Sequence, residues 1–100
     1  MSIVKLILHS LVMIFTCTQV CYSASLHLTW NGNTETDLAG YKVYYGTSAG
    51  SYGNPIVLGD VTEYELSGLE EGTLYYVALT AFDTSDNESE KSDEESGVAH

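Results

Sequence analysis

The chain has 100 residues, of which 14 are acidic and 3 basic, so its formal net charge is −11. Nucleic-acid binding depends on Lys and Arg side chains that neutralise phosphates, and this charge therefore argues against a nucleic-acid partner. A chain of this length has room for one small domain, which buries roughly 60% of its unfolded surface, and it excludes a second core.

The N-terminal region has the features of a secretory signal. Lys5 precedes an apolar run from Leu6 to Phe15, and the small residues Ser23 and Ala24 follow where cleavage is expected. We therefore predict that residues 1–24 are a signal peptide and that residues 25–100 form a domain secreted to the extracellular or periplasmic space. The alternative is an uncleaved N-terminal anchor, which would be the only membrane contact, although the segment is short and polar for a span of roughly 20 residues.

Cleavage would change both the thiol content and the charge. Cys17 and Cys21 lie in the expected signal, so the mature domain would hold no disulfide and no cysteine metal site. Beyond Ala24, two lysines stand against 14 carboxylates, a net charge of −12. Seven of these acids fall between Asp83 and Glu95 with one lysine, a pattern typical of a solvated loop that keeps a small protein soluble.

Alternating apolar and polar residues predict β-strands along most of the mature chain. Leu26, Leu28 and Trp30 alternate with His27 and Thr29 before the turn signal at residues 31–33. Further strands are predicted at residues 41–45, 56–58, 63–67 and 75–82. Short strands at intervals of about ten residues, separated by Gly and Asn turns, predict an all-β, two-sheet immunoglobulin-like sandwich.

Three segments resemble the fibronectin type III family. Leu28-Thr29-Trp30 resembles its strand B, residues 37–46 resemble the start of its strand C, and residues 69–75 resemble its tyrosine corner. The resemblance covers Leu26 to about Ser92 and is to exported, bacterial-type, single-domain members. It implies structural roles for one set of residues, namely Trp30, Tyr41, Val43, Leu69, Tyr75 and Val77.

The chain departs from the family pattern at the first and last strands. Strand A is expected to be missing, because only Ser25 separates the cleavage site from Leu26. The open edge of strand B would then be available for self-association or for a strand from a partner. Strand G is expected to be short or frayed, because Glu95 stands where the family has an apolar residue.

Two patterns suggest chemistry but lack the context that the chemistry needs. Gly46-Thr47-Ser48-Ala49-Gly50 matches the nucleophile turn of hydrolases, but no helix is predicted after Ser48, and the only later histidine is His100. A small secreted hydrolase is therefore the least favoured function, and a hairpin turn is the preferred interpretation. Residues 83–88 carry oxygen ligands at alternate positions, but Glu88 stands where a calcium loop needs glycine. No enzyme activity, metal or cofactor is expected.

Aromatic side chains predicted to face away from the core suggest a contact patch, formed by Tyr44, Tyr76, Tyr52 and Phe82. Tyrosines offer a large rigid contact area with a polar tip. The alternative is a cross-strand aromatic pair that stabilises the sheet by about 0.2–1 kcal/mol.

The family resemblance implies a noncatalytic binding, adhesion or spacer module that contacts a protein or cell-surface partner. The alternative is a truncated fragment of a longer secreted enzyme or surface protein.

Overall fold

A computed structural model describes the backbone of residues 5–9 and all of residues 24–100. The strands are β1 (Lys5–His9), β2 (Ala24–Asn31), β3 (Leu38–Gly46), β4 (Ile56–Leu58), β5 (Glu63–Leu69), β6 (Leu74–Asp83) and β7 (Glu95–Val98). They form two antiparallel sheets, ordered β1-β2-β5 and β4-β3-β6-β7. The predicted all-β, two-sheet sandwich is confirmed.

Most of the predicted signal peptide falls outside the described residues. Its expected cleavage region at Ser23 and both cysteines, Cys17 and Cys21, are among the residues not described. Within the described ranges, no helix is long and apolar enough to cross a membrane. The signal peptide and its rival, the N-terminal anchor, both stay predictions.

The core lies between the two sheets and is built from the alternate residues of each strand. All six residues given structural roles are buried there, together with Leu26, Leu28, Leu66, Leu79, Ala81 and Ala99. The rings of Trp30 and Tyr41 meet edge to face, with centroids 5.4 Å apart. The Tyr41 hydroxyl accepts a hydrogen bond from the Asn33 N–H at 2.8 Å, so the turn after β2 is tied to the core of the opposite sheet.

One glycine allows β3 and β4 to approach closely. A Cβ atom placed on Gly40 would lie 2.0 Å from the Leu58 carbonyl oxygen, nearer than any side chain tolerates. The register around it is irregular, since Leu38 pairs with Asp83 while Gly40 pairs with Phe82. Strand β3 begins at Leu38, three residues before the start at Tyr41 that alternation alone predicts.

The first strand differs from the expectation that strand A is missing. In the full chain, β1 pairs with β2 in antiparallel register, from Lys5 opposite Asn31 to His9 opposite His27. The difference arises because the apolar run near the N-terminus predicts a removable signal over residues 1–24. Those residues include β1, which pairs with the side of β2 opposite to β5.

The last strand is short, with only the four residues from Glu95 to Val98. After it the chain turns inward, and Ala99 is fully buried in the core. The Ala99 carbonyl accepts from the Gly72 N–H at 2.9 Å, and the Ala99 N–H donates to the Thr73 carbonyl at 3.1 Å. The C-terminal residues are thus held against the turn that precedes β6.

Candidate functional site

The candidate patch lies on the outer face of the larger sheet, but its four aromatic residues do not form one cluster. The rings of Tyr44 and Tyr52 meet, with centroids 6.2 Å apart and planes inclined by 57°. Tyr76 lies opposite Gly46, while Phe82 lies opposite Gly40 at the other end of the strand pair. Tyr76 and Phe82 are six positions apart along an extended strand, a separation of roughly 20 Å. We therefore call Tyr44, Tyr52 and Tyr76 the tyrosine face and treat Phe82 separately.

A single carboxylate connects Tyr44 to the neighbouring strand. Glu88 accepts hydrogen bonds from the Tyr44 hydroxyl at 2.5 Å and from the Thr80 hydroxyl at 2.8 Å. The Lys42 ammonium donates to the same carboxylate at 3.3 Å. Charged acceptors form the stronger hydrogen bonds, so Glu88 holds the side chains of Tyr44, Thr80 and Lys42 in fixed positions.

A second carboxylate holds Tyr52 in the same manner. Glu94 accepts a hydrogen bond from the Tyr52 hydroxyl and another from the Gly50 N–H at 2.7 Å. Gly50 has a φ of +71° and lies in the hairpin turn after β3. Glu94 therefore ties this hairpin to the segment that leads into β7.

Lys42 and Lys91, the two lysines beyond Ala24, both lie on this outer face. The Lys91 ammonium lies 4.6 Å from the centroid of the Tyr44 ring, and the Lys42 ammonium lies 5.4 Å from the centroid of Phe82. Both distances fall within the range in which a cation is attracted to an aromatic ring. We call residues 83–95, which carry seven acids, the acidic segment. Lys91 of this segment consequently covers one side of the Tyr44 ring.

These contacts fix the charge state of the face. Burial, together with the hydrogen bond to Glu88 and its negative charge, raises the pKa of Tyr44 to about 12. Burial and Glu94 likewise raise the pKa of Tyr52 to about 12. Burial acts to raise the pKa of Glu88, but hydrogen bonds from Tyr44, Thr80 and Lys42 outweigh it and hold that pKa below its usual value. At neutral pH both tyrosines are neutral donors to charged acceptors.

The segment that carries these carboxylates follows β6 through two serines. Ser89 donates its N–H to the Ala81 carbonyl at 2.8 Å, and its hydroxyl accepts from the Ala81 N–H at 2.9 Å. Ser92 makes the same two contacts with Leu79, at 2.8 and 2.9 Å. Each serine hydroxyl takes the place of the carbonyl that a regular neighbouring strand would present. We call this pairing the serine ladder.

The Glu88 carboxylate lies on the outer face of β6, where it accepts from the Thr80 hydroxyl, while the serine ladder runs along the edge of that strand. Ala78 and Thr80 alternate along β6 with the core residues Val77 and Leu79 and so face away from the core, yet both are about 1% exposed. The acidic segment was interpreted as a solvated loop, whereas several of its side chains bind the sheet. The only sequence signal for this was the spacing of Glu88, Ser89 and Ser92, which has no standard interpretation.

The two patterns that suggested chemistry occupy turns. The Ser48 carbonyl accepts from the Ser51 N–H at 3.1 Å, so the serine begins a hairpin turn. The Asp83 carboxylate accepts from the N–H groups of Ser85 and Asn87, both at 2.9 Å, which closes the loop after β6 on itself. In the part of the chain that the structure describes, no group of three or more His, Cys, Asp or Glu side chains could hold a metal ion.

Comparison with known proteins identifies the family. A family model described as the fibronectin type III domain matches residues 13–96, and the chain belongs to this family. No curated protein matches the sequence.

Several solved structures share the fold. The chicken CNTN1 FN1-FN3 domains match with a TM-score of 0.76 and 16% identity, over 97% of this chain and 31% of that chain. A β-1,2-glucanase from Parabacteroides distasonis matches with a TM-score of 0.68 and 23% identity, over 77% of this chain and 11% of that chain. An Fn3-like protein from Clostridium thermocellum matches with a TM-score of 0.61 and 27% identity, over 72% of this chain and 73% of that chain. The chain thus spans only a small part of the first two proteins.

Proposed function

We propose that this protein is a noncatalytic, exported contact module that binds a protein or cell-surface partner through the tyrosine face. The observation that carries the proposal is the fixed aromatic pair of Tyr44 and Tyr52, whose hydroxyls are held by Glu88 and Glu94. Aromatic side chains that are already immobilised lose little conformational entropy on binding, which favours affinity. Tyr76 extends this surface from the next strand.

The surrounding charge restricts the partner. The mature domain would carry −12, and only two lysines offset its carboxylates. Polyanions are therefore repelled and a basic surface is attracted, while a neutral surface is neither attracted nor repelled by the net charge. The proposed partner is a protein or a cell-surface polymer without dense negative charge.

Binding of the labelled full chain to cells of the source organism tests this proposal. Tyr76→Ser and Tyr52→Ser should each weaken saturable binding by about tenfold, which corresponds to about 1.4 kcal/mol. Val57→Ser is the matched control, because Val57 is an apolar side chain on the short strand β4, 61% exposed and outside the tyrosine face. Equal binding by all three variants and the wild type, with unchanged circular dichroism, would refute the proposal.

A spacer role within a longer secreted protein is the second candidate. It is favoured by the glucanase, in which the matched region makes up 11% of the chain. The mass of the native protein in its source decides between the two candidates. A mass near that of the mature domain supports the contact module, and a much larger mass supports the spacer.

A further inference from the structure

Strand β2 lies between β1 and β5 in the smaller sheet. Some of its backbone N–H and C=O groups point towards β1 and the others towards β5. The Trp30 N–H donates to the Thr62 carbonyl at 3.0 Å, which shows that Trp30 faces the β5 side. Backbone groups point to alternate sides along a strand, so those of Leu28 also face β5. The groups of His27 and Ser25 consequently face the opposite side, which we call the outer edge of β2.

Two different parts of the chain occupy this outer edge. Ser25 exchanges hydrogen bonds with His100, with N–H to carbonyl distances of 3.1 and 3.5 Å. The remainder is paired with β1, in a register that runs from Lys5 opposite Asn31 to His9 opposite His27. Among the residues that the structure describes, the outer edge beyond Ser25 is therefore paired only with Lys5–His9, which lies in the predicted signal peptide.

The composition of β2 is that of a strand with neighbours on both sides. Its eight residues, from Ala24 to Asn31, include no Asp, Glu, Lys, Arg or Pro. Exposed sheet edges are normally protected by charged residues, proline or short strands. The other outer strands of the described sheets have such protection, because β4 has three residues and follows Pro55, β5 carries Glu63, and β7 begins at Glu95. Loss of β1 would expose an edge without protection.

We propose that the outer edge of β2 is a strand-acceptor site, filled in the full chain by Lys5–His9 and, after removal of that segment, by an extended strand of a partner protein. The proposal goes beyond the contact function of the tyrosine face, which lies on the other sheet. It shares with that function only the prediction that the N-terminal segment is removed on export.

The present occupant and the charge of the domain define the partner strand. The segment Lys5–His9 reads Lys-Leu-Ile-Leu-His, with three consecutive apolar residues, one lysine and no acid, and it pairs antiparallel to β2. A mature domain of charge −12 favours a neutral or basic strand and disfavours a second copy of itself. The partner is therefore an extended, apolar segment without acidic residues.

The test uses the full chain, with a specific protease site inserted within residues 10–23 and cut after folding. A labelled peptide with the sequence of residues 4–10 is then added in excess to displace the cut segment. We expect one peptide to bind per cut chain, with no detectable binding to the uncut chain. A peptide carrying Ile7→Pro should bind at least about tenfold more weakly, because proline cannot donate to the facing strand.

Three results would overturn the proposal. These are equal binding of the proline peptide, equal binding to cut and uncut chains, and absence of peptide binding to the cut chain. Dimerisation of the cut chain in place of peptide binding would likewise overturn it in favour of self-pairing. Circular dichroism after displacement completes the test, since an acceptor that unfolds without β1 is not a strand-acceptor site. Failure here leaves the tyrosine-face experiment unaffected, because that experiment reads variants of the opposite sheet.

Discussion

Tyr75 links the corner before β6 to the core through a single hydrogen bond. Its hydroxyl accepts from the Glu70 N–H at 3.0 Å, and its ring centroid lies 6.4 Å from that of Tyr45. Gly72 allows the intervening turn, because its φ of +81° is unfavourable for other residues. The hydroxyl and the turn together position the start of β6 against the opposite sheet.

The first prediction concerns this hydroxyl. Tyr75→Phe should lower the free energy of unfolding by about 1–3 kcal/mol, because the ring packing stays while the Glu70 N–H loses its acceptor. Tyr45→Phe is the matched control, since the structure records no hydrogen bond for that hydroxyl among the described residues. Chemical denaturation measures both variants. Equal midpoints for Tyr75→Phe and the wild type would show that the corner bond does not stabilise the fold.

The second prediction concerns ionisation of the tyrosine face. Of the eight tyrosines, Tyr44 and Tyr52 should titrate near pH 12 rather than near 10, as measured by tyrosinate absorbance. A pKa that is higher in the folded state gives stability that is complete below pH 10 and is lost as the pH rises towards 12. Circular dichroism over the same interval should therefore report a loss of stability.

Two variants assign the late titration to individual residues. Glu88→Gln removes the negative charge beside Tyr44 and should lower only its pKa, whereas Glu94→Gln should act only on Tyr52. A folded wild-type protein in which neither Tyr44 nor Tyr52 titrates near pH 12 would contradict the described hydrogen bonds.

At the scale of elements, the serine ladder takes over part of the role of a regular strand G. Leu79 and Ala81 are fully buried, and their N–H groups donate to the hydroxyls of Ser92 and Ser89. A buried N–H without an acceptor is destabilising, so these hydroxyls are required wherever the backbone of the segment does not supply a carbonyl. This arrangement accounts for the short β7, since pairing with β6 begins before that strand.

The third prediction tests the ladder. Ser92→Ala should lower the free energy of unfolding by about 1–3 kcal/mol, because the Leu79 N–H would stay buried without its acceptor. Ser96→Ala, at an exposed position in β7, should change stability by less than about 0.5 kcal/mol. Amide hydrogen exchange should show faster exchange of Leu79 in the first variant alone. Identical stability of the two variants would mean that water replaces the serine hydroxyl without loss.

Sequence patterns predicted the strands, but they did not predict which segments cover the outward side chains of those strands. Alternation placed Val77 and Leu79 of β6 on the core side, and both are fully buried. It also placed Thr80 on the outer side, but it could not show that Glu88 covers that side. Alternation reports the direction of each side chain within a strand, whereas coverage depends on contacts between distant segments. For the same reason the patch was predicted as four residues, although the length of β6 separates Tyr76 from Phe82.

At the scale of the whole molecule, the segment Lys5–His9 has two incompatible interpretations. It is either part of a removable signal or a strand of the folded domain. As a signal, Lys5 and the following apolar run are removed on export. As a strand, Lys5–His9 covers the outer edge of β2. Sequence patterns could not join the two, because an apolar run that suits a signal also suits a buried strand. The completeness of the smaller sheet therefore depends on which segment pairs with the outer edge of β2 before and after the predicted removal of the signal.

The fourth prediction, amide hydrogen exchange of β2 in the full chain, tests this account most directly. The Leu28 N–H faces β5 and serves as the internal reference, while the His27 N–H faces β1. If Lys5–His9 occupies the outer edge, both amides should exchange slowly. Rapid exchange of His27 beside a protected Leu28 would show that the edge is open in the full chain and would contradict the account.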